Sequence, residues 1–213
     1  MKIYRHTPPD QTPLCQKGAV VIIGNFDGVH KGHQAVLKKA VDQGKILGLP
    51  VVVLTFEPHP RAVLTPENAP LELTKFTEKC TLLEHYGADA VYAIDFTKAY
   101  AATPAEGFVE ETLVKTLQAK HVVIGEGFAF GKGRAGNVEM LQHMGKKYGY
   151  GLSVVPPQKF EGGGMVYAST EVRKALTKGD LTLAEALLGH KLDIFRTIAP
   201  INSCPKTKKN VTL

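Results

Sequence analysis

Apolar residues along this chain follow two rhythms that alternate. Five short runs, Ala19–Ile23, Pro50–Phe56, Ala90–Ile94, His121–Gly125 and Leu152–Pro156, are rich in β-branched residues and have the length of strands. The second, Pro50-Val-Val-Val-Leu-Thr-Phe56, is almost wholly apolar, which suits a parallel strand covered on both faces. Between the runs, apolar positions recur three and four apart. Ala35, Val36, Leu37, Ala40, Val41, Ile46 and Leu47 predict a helix from about Lys31 that stops at Gly48, and a second runs from about Phe76 to Tyr86 with Thr74 as cap and Gly87 as terminator. Thr103-Pro104-Ala105-Glu106 has the features of a capped helix start, with Phe108, Val109, Leu113, Val114 and Leu117 turned inward. Further helices are expected up to Tyr148, from Ala168-Ser169-Thr170 with hydroxyls at the cap, and from a Thr182/Glu185 capping box to Gly189.

Strands and helices alternating at this spacing predict an α/β fold: right-handed crossovers, a parallel sheet and helices on both faces. Residues 1–18, with prolines at 8, 9 and 13, read as an extended lead-in, and Gly162–Gly164 as a mobile turn. Residues 190–213 lose the pattern and are too short for a domain of their own, so one domain over 1–189 with an irregular tail is expected.

Composition narrows the class. Of 213 residues, 44% are hydrophobic and 22% charged, the proportions of an ordinary folded domain rather than a disordered or membrane-embedded chain. No apolar run approaches the roughly 18–20 residues of a spanning helix. The first residues lack a signal-peptide pattern, so the cytoplasm is the expected compartment. Cys15, Cys80 and Cys204 have no metal-ligand spacing and read as reduced thiols. The net charge of +6 raises nucleic acid as a partner, but Lys206, Lys208 and Lys209 crowd the tail while Lys132 and Arg134 sit in a glycine loop. No zinc-finger or helix-turn-helix signature accompanies the charge, and a polyphosphate substrate suits it as well.

The chemistry concentrates in Gly24-Asn-Phe-Asp-Gly-Val-His-Lys-Gly-His33, placed between the first strand and its helix. Strand, glycine-bearing turn and helix start present backbone N–H groups to an anion, and His30 and His33 stand at the same place. Such a pair suits a metal site, a nucleophile site or a phosphate clamp. Further ligands and a facing serine or cysteine are missing from the neighbourhood, while a clamp uses what is there; capping with solvent exposure also explains the pair. Glu57-Pro58-His59-Pro60 breaks the chain at a strand's C-terminal end, either as a ligand wall or as a rigid turn. The glycine loop Glu126–Gly136 carries Phe128 and Phe130, readable as ring-stacking groups or as core anchors, with at least one expected in the core.

These stretches together resemble the bacterial FAD synthetase family, the FMN adenylyltransferase module of bifunctional riboflavin kinase/FAD synthetases. The first block carries its HxGH core, Thr55–Pro60 resembles the second block, Ile124–Gly131 the flavin-side loop, and Ser169-Thr-Glu-Val-Arg173 the distal phosphate block. The resemblance spans about residues 18–190. It implies a Rossmann-like nucleotidyltransferase fold and transfer of AMP from ATP to FMN, giving FAD and pyrophosphate, with Mg2+ accompanying ATP. By the same resemblance His30, His33 and Asp27 are the catalytic set, Asp27 with a metal-linked role. Gly24, Asn25, Phe26, Gly28, Gly32, Ser169, Thr170 and Arg173 bind the nucleotide. Phe56, Pro58, His59, Glu126, Phe128, Phe130 and Arg134 lie on the flavin side.

Gly127 stands where the family usually has aspartate or asparagine, and Ala168 where it usually has serine. Those two positions motivate the alternatives of a catalytically weak nucleotide- or flavin-binding homologue and of an adenylyltransferase for another phosphorylated acceptor. The family chain normally continues into a riboflavin kinase barrel, and 190–213 cannot hold one. No riboflavin phosphorylation is therefore expected, with FMN supplied by a separate kinase and neither nucleic acid nor membrane as partner.

Overall fold

Why the loop 24–33 sits where it does follows from strand order. In the computed structural model, which describes residues 1–6, 17–161 and 164–191, six parallel strands form one sheet. They are β1 (Lys2–His6), β2 (Ala19–Ile23), β3 (Val51–Glu57), β4 (Ala90–Asp95), β5 (Ala119–Gly125) and β6 (Gly151–Val155), in the order β1-β4-β3-β2-β5-β6. The chain steps outward from β2 through β3 to β4, then returns to the other side of β2 for β5 and β6. This reversal opens a crevice at the carboxyl ends of β2 and β5, where open α/β sheets bind ligands.

Strand alternation decides the two cores. Val20 and Ile22 of β2 face α1 (Lys31–Leu47) and α3 (Phe76–His85), packing with Val36, Leu37, Ala40, Cys80 and Leu83. Ala19, Val21 and Ile23 point the other way, into Phe108, Val109, Leu113, Leu141 and Met144. Short helices α2 (Pro60–Leu64) and α4 (Lys98–Ala101) follow β3 and β4. Helix α5 (Ala105–Gly107) runs directly into a π-helical segment, Phe108–Thr116, where Leu117 N donates to Thr112 O five residues back. Helix α6 (Val138–Tyr148) precedes β6, and α7 (Ser169–Thr177) and α8 (Leu181–Leu188) close a third cluster with Leu73.

Several expectations are corrected. Lys2–His6 is not lead-in but an edge strand, pairing in parallel with β4 from Lys2↔Ala90 to His6↔Ile94. Ile46 and Leu47, counted on the inner face of α1, are exposed. Thr74 does not cap α3, whose cap is Lys75; its hydroxyl instead accepts from Gly28 N at 3.0 Å. Thr103 and Thr182 do not cap either: Pro104 precedes α5, and Asp180 caps α8 by accepting from Leu183 N at 2.9 Å. An aspartate offers a better acceptor than a threonine two residues on, and it wins the helix start. Ala168 occupies the cap of α7 without a side-chain bond, so Ser169 and Thr170 stand one and two positions inside the helix. The prolines at 8, 9 and 13, Cys15, Cys204, Gly162, Gly163 and the tail from 192 onward lie outside the described residues.

Candidate functional site

The loop after β2 is shaped by positive backbone angles. Phe26 takes φ 52° and buries its ring, and Gly28 takes φ 80°, where a Cβ would stand 2.9 Å from Leu73 Cδ1. His30 then caps α1, its Nδ1 accepting from His33 N at 3.3 Å. The two imidazoles stack with centroids 3.6 Å apart and 21° between planes, and the Phe26 ring meets His33 edge-on at 5.2 Å. Gly32 makes this approach feasible, since a Cβ there would lie 2.9 Å from Tyr167 O and 3.1 Å from the His30 ring.

Burial sets the charge of the pair. His30 is only 5% exposed, and burial, helped by the Arg173 charge, pushes its pKa down to about 4. His33 is held well below the ordinary value, first by burial, then by His30 and Lys79. Both rings are therefore neutral near pH 7. Because His30 Nδ1 accepts a backbone N–H, the His30 proton sits on Nε2. His33 Nδ1 is buried and has no hydrogen-bond partner among the described residues.

Asp27 gathers the elements around this loop. Its Oδ1 accepts from Leu73 N at 2.9 Å and Thr74 N at 3.2 Å, and its Oδ2 pairs with Arg173 Nη2 of α7. Arg173 Nε donates to Leu71 O at 2.7 Å, and Ser169 Oγ donates to the Asp27 carbonyl at 2.9 Å. The loop thus joins the 71–74 segment and the start of α7, more than 140 residues away in sequence. From the opposite side Gln34 Nε2 donates to Val29 O and Leu188 O, and His190 Nε2 reaches Gly28 O at 2.9 Å.

The carboxyl end of β3 adds a third wall. Asn25 Nδ2 and His59 Nε2 are 3.3 Å apart, and His59 Nδ1 accepts from Arg61 N at 3.2 Å as the cap of α2. Burial lowers the His59 pKa, opposed by Asp27 and reinforced by Arg173, Lys79 and Arg61. Lys79, absent from the candidates read off the sequence, is 4% exposed with Nζ donating to Asn25 O at 3.3 Å and to Glu57 Oε2 at 3.5 Å. A lysine on an amphipathic helix ordinarily reads as solvated, and no local signal distinguishes this one.

These pieces face one cleft of about 1100 Å³. Gly24, Asn25, Asp27, His33, Ser169, Thr170 and Arg173 line its histidine side. Phe56, His59, Phe96, Tyr100, Phe128, Phe130 and Arg134 line the other. Phe130 is buried and Phe128 half-buried, stacked on each other at 5.6 Å, so Phe130 belongs to the core while touching the cleft. Phe26, Gly28, His30 and Gly32 form the layer behind the wall. Glu126 and Pro58 are exposed and do not line the cleft, and Lys132 is exposed as well.

The donor set does not suit a metal held by the protein. Both Asp27 carboxylate oxygens are engaged by Arg173 and two backbone N–H groups, and no cluster of three or more histidine, cysteine or acidic residues occurs among the described residues. No helix among them is long and apolar enough to cross a membrane.

The family model for FAD synthetase matches residues 12–170. The bifunctional riboflavin kinase/FMN adenylyltransferase of Escherichia coli K12 is 42% identical over 179 residues, covering 84% of this chain and 56% of that protein. Its counterpart from Haemophilus influenzae is 39% identical over 191 residues, covering 90% of this chain and 61% of the relative. The chain thus spans somewhat over half the length of these relatives. A crystal structure described as a macrolide-efflux protein from Streptococcus pneumoniae superposes with a TM-score of 0.76 at 31% identity, covering 90% of this chain and 63% of the other. A nucleotidyltransferase-like parallel sheet, an HxGH loop at its switch point and these matched relatives place the chain in the FAD synthetase family.

Proposed function

We propose that this chain is an FMN adenylyltransferase, making FAD and pyrophosphate from FMN and ATP. The observation that carries the reading is the shared cleft: a stacked histidine pair and Arg173 at one end, an aromatic wall at the other. In the reaction an FMN phosphate oxygen attacks the α-phosphorus of ATP. A new P–O bond forms as the α–β bridge breaks, and pyrophosphate leaves with the electron pair. Such a displacement needs alignment and charge neutralisation more than covalent chemistry.

The residues divide those tasks. His33, neutral and lining the cleft, donates from its ring to the transferring phosphoryl group as its charge builds, and His30 holds the His33 ring in place from behind. Arg173, Ser169 and Thr170 take the distal phosphates, which leave as pyrophosphate. Asn25 fixes the nucleotide between the loop and His59. Phe56, Phe96, Phe128 and Phe130 offer faces and edges to a planar acceptor ring, which favours a flavin over a flexible acceptor such as phosphopantetheine. Arg134 lies on the same wall, and Mg2+ enters as part of the ATP complex, bound to phosphate oxygens.

Incubation with FMN, ATP and Mg2+ followed by chromatography tests the reading. FAD and pyrophosphate in equal amounts support it. ATP consumption with another phosphorylated acceptor, but not with FMN, overturns it.

A further inference from the structure

A carboxylate beside a polyphosphate site is an electrostatic liability unless it does something for the phosphate. Asp27 is 6% exposed and lines the phosphate end of the cleft. Its immediate reading is a ligand for the metal that travels with ATP. The hydrogen bonds contradict that reading. Oδ1 carries two backbone N–H donors, from Leu73 and Thr74, and Oδ2 carries the Arg173 guanidinium. Oδ2 keeps one lone pair, but a metal on it would sit against the Arg173 guanidinium, a cation facing a cation.

We propose that Asp27 is a positioning residue, which acts on ATP through Arg173 and holds no metal. The guanidinium has five N–H donors. Two are engaged by the protein itself, Nε by Leu71 O and one Nη2 hydrogen by Asp27, so the fork is fixed in orientation and its other edge can face phosphate. The same aspartate takes the Ser169 hydroxyl on its carbonyl and pins residues 73 and 74 on Oδ1. One residue therefore sets the angle of Arg173, the start of α7 and the strap that supplies Leu71 O. A guanidinium fixed in this way loses little side-chain freedom when ATP arrives, which is where a preorganised site gains affinity.

The inference rests on the adenylyl-transfer reading for the identity of its ligand. Calorimetric binding of ATP with no acceptor present tests it without turnover. Asp27→Asn keeps the shape of the side chain but turns an amide toward Arg173, and ATP should bind about tenfold more weakly, the cost of an ordinary charge-assisted contact. Arg173→Lys should cost at least as much. The double variant should be no worse than about twofold below the weaker single variant, because the two residues act as one unit. Electron paramagnetic resonance of Mn2+ with the wild-type chain and no nucleotide should show only free metal.

Asp27→Asn with ATP affinity within twofold of wild type overturns the proposal. So do single losses that multiply in the double variant, and a Mn2+ site in the nucleotide-free protein. Should Asp27→Asn fail to fold, the wild-type manganese measurement decides, bound metal against the proposal and free metal for it. A wild-type chain that binds no ATP counts against adenylyl transfer, and the manganese arm still judges Asp27.

Discussion

His30 and His33 stack face to face at 3.6 Å, and His30 also caps the helix on which His33 rides. A proton on His30 makes a second proton on His33 costlier, while burial and the Arg173 charge hold His30 itself neutral. With burial added, the 24–33 loop is built around two neutral imidazoles, and the helix-cap bond fixes the His30 proton on Nε2.

The neutral pair should make stability depend on pH. His30 has its folded pKa lowered to about 4 from an ordinary 6.5, so between those values the unfolded chain binds the proton and the folded chain does not. Stability is therefore full above about pH 6.5 and falls as pH drops toward 4, by about 3 kcal/mol from this group. Denaturant unfolding at pH 7.5 and pH 5 should show the loss, and His30→Gln should flatten it. An equal slope in the variant would contradict the assignment.

ATP should reverse part of that shift. The MgATP polyanion beside the imidazoles favours their charged form, so MgATP binding near pH 6 should take up protons. Calorimetry in two buffers of different ionisation enthalpy reads this directly. Proton release, or none, would mean that the triphosphate does not lie against the histidines.

Gly32 should tolerate no side chain. A Cβ would press on Tyr167 O at 2.9 Å and on the His30 ring at 3.1 Å. Gly32→Ala should weaken ATP binding at least tenfold while costing only about 1–3 kcal/mol of stability. Unchanged ATP affinity in a folded variant would show that the stack does not matter.

Gly127 is the opposite case. It takes φ 80° with nothing within 4 Å of where a Cβ would stand, and asparagine accepts that conformation better than most residues. Gly127→Asn should leave the melting temperature nearly unchanged and tighten FMN binding by up to about tenfold through one added hydrogen bond. Weaker FMN binding would place the acceptor elsewhere in the cleft.

Much of this was legible in the sequence, for definite reasons. Buried β-branched runs such as Ala19–Ile23 have no solvated alternative, and Gly48 ends α1 at φ 64°, as a terminating glycine should. Loop residues 24–33 were legible because residue types and spacing together fix a turn and a helix cap. Edge strand β1 was not: Lys-Ile-Tyr-Arg-His is short, half-exposed and next to a proline-rich stretch, so only its pairing with β4 identifies it. The same holds for Lys79 and for the Asp27–Arg173 pair. Their partners lie 54 and 146 residues away, beyond the reach of any local pattern.

Lys79 gives a prediction of that kind. Lys79→Met would take one of two side-chain donors from Asn25 O, leaving the Thr55 hydroxyl, and would strip the Glu57 carboxylate of its cation. A loss of about 1–3 kcal/mol follows. Part of it should return in Lys79→Met/Glu57→Gln, which removes the stranded charge, and chemical denaturation of the three variants measures this. Additive losses would mean that the two side chains do not interact.

The central claim is that the histidine end and the aromatic end of one cleft serve one transfer. Single-turnover mixing of the protein with FMN, Mg2+ and ATP labelled at the α-phosphate measures it most directly. The label should appear in FAD at the rate at which unlabelled pyrophosphate is released, and His33→Ala should suppress both while FMN still binds. Label remaining in ATP with both substrates bound, or passing to AMP instead of FAD, would contradict the account.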